Sequence, residues 1–365
     1  MEDMVVTTRL GLPDANFWKG KRVLLTGHTG FKGAWLVIWL RKMGAHVFGL
    51  SLAPNTTPNL FDLAVIDSIC SSFFCDIRDQ TKIAKMIDQI SPDIVFHLAA
   101  QSLVREGYKS PIKTFSTNVM GTAHLLSGLL NVSSVRVAVM VTTDKVYKNN
   151  EWDWPYREGD ALGGHDPYSA SKAASEILID SYRSSFFENS GVALSSARAG
   201  NVIGGGDWST DRLIPDAVRA WQQGDILNIR RPDATRPWQH VLDPLSGYLK
   251  LAERTWECPE LAGAYNFGPD SSGSSSVKKV IELARHEYGS GRVYFEAKSE
   301  GPHEAELLTL EVAKARNQLQ VNPVWALSES VSRTMRWYVE QFDGLDARSL
   351  CEADIESFEA SGCNI

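Results

Sequence analysis

The stretch RVLLTGHTGFKG, residues 22–33, decides the fold class of this chain. Its apolar start predicts a buried strand, and a glycine-rich turn then leads into residues 31–43, which predict a helix. That helix is apolar nearly all round from Ala34 to Leu40, so we expect it to be buried. A strand, a tight glycine turn and a buried helix in this order are typical of the first unit of a dinucleotide-binding α/β fold.

The glycines of the turn predict a loop that binds a diphosphate. Gly27 permits a tight turn, Gly30 lets the backbone approach the phosphates, and Gly33 lets helix and strand pack closely. The helix N-terminus adds free N–H groups and a partial positive charge. The spacing is GxxGxxG rather than GxGxxG, so the strand–turn–helix context carries the interpretation. The remaining cofactor contacts predicted in this loop are His28, Thr29, Phe31 and Lys32.

Further apolar strands alternate with helical patterns through the first half of the chain. One helix has its apolar stripe between Ile83 and Ile90, and a second helical segment covers 111–130. This alternation predicts a doubly wound parallel α/β sheet, a Rossmann-type fold covered by helices on both faces. The four further strands are predicted at 46–52, 71–76, 94–100 and 135–143.

The second half of the chain changes in character and predicts a smaller α/β lobe that binds substrate. We place a dinucleotide-binding domain at 17–200, with some later chain returning to it, and a mainly substrate-binding lobe at 201–345. Residues 1–16 and 350–365 are expected to be flexible termini.

The second strand leaves the choice between NAD and NADP open. An acid that binds the adenine ribose is expected at its end, but the sequence there is GLSLAPN, with no acid before Asp62. Either Ser51 or a neighbour contacts the ribose, or a 2′-phosphate is tolerated. After the third strand, Asp76 either accepts from the adenine amino group or, like Asp79, caps a helix.

Two short motifs predict proton-transfer chemistry. YSASK places Tyr168 and Lys172 on one face of a helix, and the ammonium is expected to lower the pKa of Tyr168 from its usual ~10 toward neutrality. A phenolate so placed can accept a hydroxyl proton while hydride leaves the same carbon. In VTTDKVY, Asp144 and Lys145 follow Thr143 at the tip of a buried strand, where a solvated surface pair is the alternative.

Composition excludes several other classes of function. The formal net charge of −7 argues against nucleic-acid binding, and no apolar run approaches the roughly 18 residues of a membrane span. Glu2 and Asp3 stand where a secretory signal would carry basic residues. The five cysteines have no metal-ligand spacing and an odd count, so we expect reduced thiols, no structural metal and a cytoplasmic location.

The motifs TGHTGFKG, DIRD, HLAAQ, TNVMGT, VTTDKVY and YSASK together resemble the extended short-chain dehydrogenase/reductases that act on nucleotide sugars. The resemblance spans about residues 17–340. RAGNVIGGGDW, DRLIPD and RPWQHVLDPLSGYL resemble the CDP-sugar branch of their 4,6-dehydratases. The resemblance implies NAD as cofactor, CDP-D-glucose as substrate, and a place in dideoxysugar and O-antigen biosynthesis.

The resemblance also implies a role for each residue of the two motifs. Thr143 would bond the sugar 4-hydroxyl, Tyr168 would be the base that starts oxidation, and Lys172 would bind the nicotinamide ribose. Asp144 would protonate the departing 6-hydroxyl. Related dTDP-glucose dehydratases have a Glu as the base at C5, and this chain has Lys145, which can serve only if it loses its proton near neutral pH.

Other expected contacts come from the same resemblance. The sugar nucleotide would meet cationic and polar groups: Gln101, Ser102, Asn201, Arg212, Leu213, Arg230, Arg236, His303 and Glu304. Further cofactor contacts would be Ile77, Leu98, Ala99 and Ala100. Helices at 111–130 and 167–188 would pair copies into a homodimer or homotetramer. The alternatives are a nucleotide-sugar 4-epimerase on the same fold and a non-catalytic dinucleotide-binding regulator.

Overall fold

The structure is a computed structural model that describes residues 11–270, 273–296 and 307–363. Its strands, numbered in chain order, are β1 Arg22–Thr26, β2 His46–Ser51, β3 Ser71–Phe74, β4 Ile94–His97, β5 Val137–Val141, β6 Ala193–Ala199, β7 Val202–Ile203, β8 Ile226–Ile229, β9 Thr235–Arg236, β10 Gln239–His240, β11 Ala264–Phe267, β12 Ser275–Ser276 and β13 Arg292–Phe295.

The α-helices include the buried helix after β1 and a long helix that begins at Pro167. They are α1 Ala15–Trp18, α2 Phe31–Lys42, α3 Leu60–Leu63, α4 Gln80–Ile90, α5 Val104–Lys109, α6 Pro111–Phe115, α7 Gly121–Leu129, α8 Pro167–Tyr182, α9 Leu213–Gln222, α10 Leu242–Glu257, α11 Val277–Tyr288, α12 Ala313–Leu319, α13 Leu327–Phe342 and α14 Ala347–Gly362. A π-helical segment, Ser116–Met120, joins α6 to α7, and another, Arg183–Phe187, extends α8.

Seven parallel strands form the central sheet, in the order β3-β2-β1-β4-β5-β6-β11. Strands β4 and β5 are buried throughout, which is why they read as unbroken apolar runs. One apolar core packs α2, α10, α13 and α14 on one face, and a second packs α4, α7 and α8 on the other. The predicted doubly wound parallel fold is confirmed.

The chain order reverses between β1 and β4, and this reversal positions the site. Connections run outward from β1 to β2 and β3 on one side, and from β4 to β5 and β6 on the other. In such sheets a crevice opens at the carboxyl ends of the strands where the order switches. The glycine turn after β1 and the motif after β5 therefore lie at the same edge of the sheet.

The later part of the chain builds a lobe from short strand pairs and helices. Its pairs are β7 with β10, β8 with β13, and β9 with β12. Strand β11 leaves this lobe and pairs with β6 at the edge of the central sheet. The chain therefore crosses between the two bodies after residue 200.

The C-terminal segment is not a flexible end in the structure, so that expectation for 350–365 is wrong up to the last described residue. Helix α14 buries Cys351, Ile355 and Phe358, whose spacing forms one helical stripe, and Phe358 packs edge-on against Trp39 of α2. At the other end, Leu12 is buried as well, while residues 1–10 lie outside the described residues. Apolar burial at Leu12 and along α14 opposes the entropic cost of ordering these two segments.

Candidate active site

The turn after β1 can be built only with glycine at two positions. Gly27 has φ +81°, and a Cβ there would lie 2.7 Å from the Ala99 amide nitrogen. A Cβ on Gly33 would lie 2.1 Å from the Gly27 carbonyl oxygen. The backbone of the turn is therefore pressed against the end of β4 and against α2, and it leaves the helix N-terminus open. This cradle fits the diphosphate of a dinucleotide.

Two side chains of the turn pack against β2. His28 is fully buried beneath the loop, and burial lowers its pKa to about 4. A Cβ on Gly49 of β2 would lie 2.3 Å from the His28 ring, so β2 makes room for it. The Thr29 hydroxyl bonds Ser51 Oγ at 2.8 Å and donates to the Leu52 carbonyl at 2.9 Å. Thr29 and Ser51 thus close the end of β2 with hydroxyl groups, where an acid was expected.

Thr143, Asp144 and Lys145 follow the end of β5 in a short 3₁₀ turn. Asp144 is only 2% exposed, and Thr143 Oγ1 donates to its Oδ1 at 3.0 Å. Its other oxygen, Oδ2, is buried and finds no hydrogen-bond partner among the described residues. A buried carboxyl oxygen without a partner is costly and uncommon in a folded protein, so Asp144 Oδ2 is left available to a ligand group. Lys145 is half-buried.

Gly200, at the end of β6, is what lets Asp144 lie here. A Cβ on Gly200 would lie 2.3 Å from Asp144 Oδ2 and 2.9 Å from Pro237 Cγ. Sequence analysis did not single out this glycine, although it lies in the RAGNVIGGG motif. The loops that contain Asn201 and Arg236 therefore pass directly beside Asp144.

Tyr168 is fixed by the way α8 begins. Asp166 caps the helix by accepting from the Tyr168 and Ser169 amides in a capping box, and Pro167 occupies the first turn. Burial raises the pKa of Tyr168 to about 12, while the Thr143 hydroxyl and the charge of Arg212 act to lower it. The prediction that the Lys172 ammonium lowers the pKa of Tyr168 is therefore wrong for the chain by itself, because burial raises that pKa and the positive charge acting to lower it is that of Arg212.

Lys172 follows one turn later and faces the sheet. Its Nζ donates to the Val141 carbonyl at the end of β5 at 3.2 Å, and burial lowers its pKa to about 8. Tyr168, Lys172 and the β5 tip are thus brought together, as the two motifs predicted. Their roles in catalysis stay predictions.

Two other cations meet at the same edge of the sheet. Arg212, which precedes α9, pairs with Asp207 at 3.0 Å and reaches Ser102 Oγ at 3.3 Å. Lys32 of α2 has its pKa lowered to about 8 by burial and by the charge of Arg212, while Asp144 acts to raise it. Asp207 was missed from the sequence; its only signal is an acid five positions before an arginine in a loop.

The end of β4 is organised by a hydrogen-bonded amide cluster. Asn118 accepts from the Gln101 amide at 2.8 Å and donates to Ser171 Oγ of α8 at 2.8 Å. The Gln101 side chain bonds Thr114 and the Leu103 backbone, so its polar atoms are engaged within the chain. Leu98, Ala99 and Ala100 precede this cluster, and the Ala99 amide donates to Thr26 Oγ1 at 3.2 Å.

The remaining predicted contacts divide by position. Asp76 is held by Arg78, while Asp79 caps α4, so the capping role falls to Asp79. Ile77 is buried against Gly121, Leu213 begins α9, and Phe31 lies against Gly204. Arg230 is exposed, Arg236 is buried, and Asn201 is half-buried. His303 and Glu304 lie outside the described residues.

The fold and the Tyr–Lys pair define a Rossmann-type protein of the short-chain dehydrogenase/reductase class, and comparison with known proteins identifies the family. Residues 24–334 match the family described as GDP-mannose 4,6 dehydratase, and the chain belongs to this family. It is 44% identical over 351 residues to a CDP-glucose 4,6-dehydratase of Salmonella typhimurium, covering 94% of this chain and 98% of the relative. The resemblance found in the sequence is confirmed.

More distant relatives include other members of the class. A UDP-glucose 4-epimerase of Mycoplasma genitalium is 23% identical over 87% of this chain and 96% of its own. A solved dTDP-glucose 4,6-dehydratase of Bacillus anthracis, in complex with NAD, has a TM-score of 0.74 at 20% identity over 88% of this chain and 97% of its own. A Thermotoga maritima UDP-glucose 4-epimerase with UDP-glucose has a TM-score of 0.75 at 19% identity over 88% and 99%. These two structures share the fold.

Proposed function

We propose that this chain catalyses the NAD-dependent dehydration of CDP-D-glucose to CDP-4-dehydro-6-deoxy-D-glucose. Membership of a nucleotide-sugar 4,6-dehydratase family and 44% identity to a CDP-glucose 4,6-dehydratase support this. The single observation that carries the proposal is Asp144, buried at the tip of β5 beside Thr143 with one oxygen unpartnered. An oxidation alone needs Tyr168 and Lys172, whereas loss of water needs an acid there as well.

The first step is removal of the proton from the sugar 4-hydroxyl. Thr143 would bond that hydroxyl, and Tyr168 would take its proton. When bound, NAD supplies the hydride acceptor at C4, the hydride donor at C6 and a positive ring charge near Tyr168. Gly27, Gly30 and the start of α2 would hold its diphosphate, and Lys172 would hold the nicotinamide ribose. Thr143 and Arg212 already act to lower the pKa of Tyr168, in the direction that a base requires.

The second step is the loss of water across C5 and C6. The 4-keto group acidifies the C5 hydrogen, which a base removes while an acid protonates the departing 6-hydroxyl. Asp144 is proposed as the acid and Lys145 as the base at C5. Both follow a rigid buried strand, which holds them in position for the reaction. As C6 accepts hydride, Lys145 would return its proton to C5, and the proton on Tyr168 would pass through solvent to Asp144, which restores all three groups.

The diphosphate of the sugar nucleotide is proposed to lie near Arg212. This arginine is held by Asp207, and Ser102 lies beside it, so the guanidinium keeps a fixed orientation. Asn201 and Leu213 lie next to this region in the chain, and Arg236 follows the loop beside Asp144. Selectivity for cytosine is proposed from the 44% identical relative.

The absence of an acid at the end of β2 leaves the adenine ribose with hydroxyl partners. Ser51 Oγ and Thr29 Oγ1 bond each other at 2.8 Å, and a 2′-hydroxyl can share such a pair. NAD is therefore proposed as the cofactor in use, in agreement with the NAD complex of the Bacillus anthracis dehydratase.

A homodimer or homotetramer is proposed through α6, α7 and α8. Apolar side chains stand exposed along this surface, including Ile112 at 81%, Phe115, Met120 and Ile177 at 61%. An exposed apolar patch on two long helices is typical of a protein–protein interface. A cytoplasmic location and a role in dideoxysugar and O-antigen biosynthesis are also proposed. All five cysteines are free thiols, as in reducing compartments.

The experiment that tests the function is incubation of the purified chain with NAD and CDP-D-glucose, with the product identified by NMR. A 4-keto-6-deoxy sugar is expected. CDP-galactose as product would instead indicate the 4-epimerase, and NAD binding without turnover of any nucleotide sugar would indicate a regulator. Parallel incubations with UDP-glucose, dTDP-glucose and GDP-mannose test the nucleotide base.

Among the described residues, every helix is too short or too polar to cross a bilayer.

A further inference from the structure

Helix α8 is joined to the end of β5 by two side chains one turn apart. Lys172 Nζ donates to the Val141 carbonyl at 3.2 Å, and the Glu176 carboxylate accepts from the Thr142 hydroxyl. Residues 172 and 176 share one face of the helix, and their partners are consecutive residues of the chain. The next residue is Thr143. The position of the strand tip relative to α8 is therefore set at the turn just before the reacting groups.

Glu176 is a buried anion. Arg198 of β6 donates to its Oε2 at 2.9 Å, and Ser196 Oγ donates to the same oxygen at 2.8 Å. Burial acts to raise the pKa of Glu176, but Arg198, Thr142 and Ser196 together hold it below its ordinary value. The group therefore keeps its charge at neutral pH.

Arg198 cannot easily follow Glu176 if the carboxylate moves. Its Nη1 donates to the Tyr147 hydroxyl at 2.9 Å, and that hydroxyl donates to Asn266 Oδ1 at 2.6 Å. The Asn266 amide in turn donates to the backbone carbonyls of Tyr156 and Glu311. These contacts link Glu176 through Arg198, Tyr147 and Asn266 to the backbone, which makes the position of Glu176 well determined.

The charge of Glu176 acts on Lys172. Burial lowers the pKa of Lys172 to about 8, and Glu176 is the carboxylate that opposes this. The neighbouring elements offer little other support. Lys32 of α2 carries a like charge, and His97 of β4 is neutral because burial lowers its pKa to about 3. Other titratable groups around the site include Tyr168 of α8, Asp144 at the strand tip, Arg212 with its partner Asp207, and Arg198, which is paired with Glu176.

We infer that Glu176 is a positioning residue for the dehydration: it keeps Lys172 in its charged form and holds α8 in register with the end of β5. The inference rests on the proposed function, in which the Lys172 ammonium holds the cofactor ribose beside Tyr168. A buried ion pair with Arg198 that served only stability would be a weak contributor, because desolvation cancels much of the attraction.

The test compares Glu176→Gln with the wild-type enzyme across pH. NAD binding is measured by quenching of tryptophan fluorescence without nucleotide sugar, and kcat/KM is measured with CDP-D-glucose. Loss of an opposite charge at this range lowers a lysine pKa by about 1 unit or more. If the pKa of Lys172 falls by 1 unit from about 8, the charged fraction of its side chain at pH 8 falls about fivefold. NAD affinity at pH 8 should fall about as much, with little change at pH 6.

The matched control is Glu253→Gln. Glu253 is also a buried carboxylate, which pairs with Lys250 at 2.8 Å and accepts from Trp18 Nε1 at 2.7 Å. It lies on α10 and contacts the segment before β1, away from the carboxyl edge of the sheet. This variant should lower the melting temperature without changing the pH above which NAD binding weakens.

Two further variants keep the inference open to refutation. Glu176→Asp keeps the charge, so NAD binding should weaken at the same pH as in the wild-type enzyme. The double variant Glu176→Gln/Arg198→Met removes both charges of the pair, leaves no unpaired buried arginine, and should show the same shift as Glu176→Gln if the single variant does not fold. The inference is overturned if neither Glu176→Gln nor the double variant lowers the pH above which NAD binding weakens, or if Glu253→Gln lowers that pH equally. Failure of the wild-type enzyme to dehydrate CDP-D-glucose overturns the proposed function alone. The pH dependence of NAD binding still tests the role of Glu176, because it is measured without nucleotide sugar.

Discussion

Replacing Gly200 by alanine should slow the loss of water far more than the first oxidation. The added Cβ would lie 2.3 Å from Asp144 Oδ2, whereas ordinary contacts begin at 3.4 Å, so the carboxylate must withdraw by about 1 Å. The same Cβ would also lie 2.9 Å from Pro237 Cγ, so the added methyl group is crowded by a second neighbour. A misplacement of about 1 Å costs on the order of 100-fold in rate.

The assay separates the two steps. Single-turnover mixing with CDP-D-glucose follows the absorbance of the reduced cofactor, which should appear at nearly the wild-type rate in Gly200→Ala and then persist. Product formation should fall about 100-fold. Gly159→Ala is the matched control, since a Cβ there meets nothing within 4 Å. Wild-type product formation in Gly200→Ala, with an intact melting transition, would refute the placement of Asp144 as the acid; equal slowing of both steps would do the same.

Three other changes test separate parts of the site, and a fourth tests the pH dependence of stability. Tyr168→Phe should abolish cofactor reduction while sparing NAD affinity, and turnover at the wild-type rate would contradict its role as base. Asp144→Asn should still reduce the cofactor but lose water about 100-fold more slowly, as product analysis would show. Lys145→Ala should stop exchange of the C5 hydrogen with solvent deuterium; exchange at the wild-type rate would exclude it as the base. Burial raises the pKa of Asp243 to about 7, so its folded form binds the proton more tightly than its unfolded form and stability falls as pH rises from about 4 to 7. Asp243→Asn should flatten that part of the curve in urea unfolding, and an unchanged slope would contradict it.

The sheet and the strand tip were predictable because their signals are local. Buried parallel strands must be apolar on both faces, so β4 and β5 stand out in the sequence as unbroken runs. The spacing of Tyr168 and Lys172 is a helical repeat, and the carboxyl ends of parallel strands meet at one edge of the sheet. Together these rules place the phenol, the ammonium and the β5 tip in one crevice without any knowledge of long-range contacts.

What could not be predicted depends on residues far apart in the chain. Gly200 makes room for Asp144 across 56 positions, and Arg198 holds Glu176 across 22, as the hydrogen bond between them records. No periodicity connects such pairs. The predicted direction of the pKa shift of Tyr168 was wrong for a related reason. The sequence shows nearby cations, but only the folded structure shows the burial that raises this pKa.

Epimerases and dehydratases share this fold, so the fold cannot decide between them, and the chemistry must follow from the strand tip. Both reactions begin with the same oxidation at C4, for which a tyrosine base and a lysine suffice. A 4-epimerase must then let the sugar present its other face, and an acid locked beside C6 contributes nothing to that. In this chain Asp144 is buried and bonded to Thr143, and the absence of a side chain at Gly200 leaves room for its carboxyl group. One of its oxygens has no partner among the described residues. Such an oxygen is costly to keep unless a substrate group meets it, and in the proposed reaction the departing 6-hydroxyl is the group that would meet it.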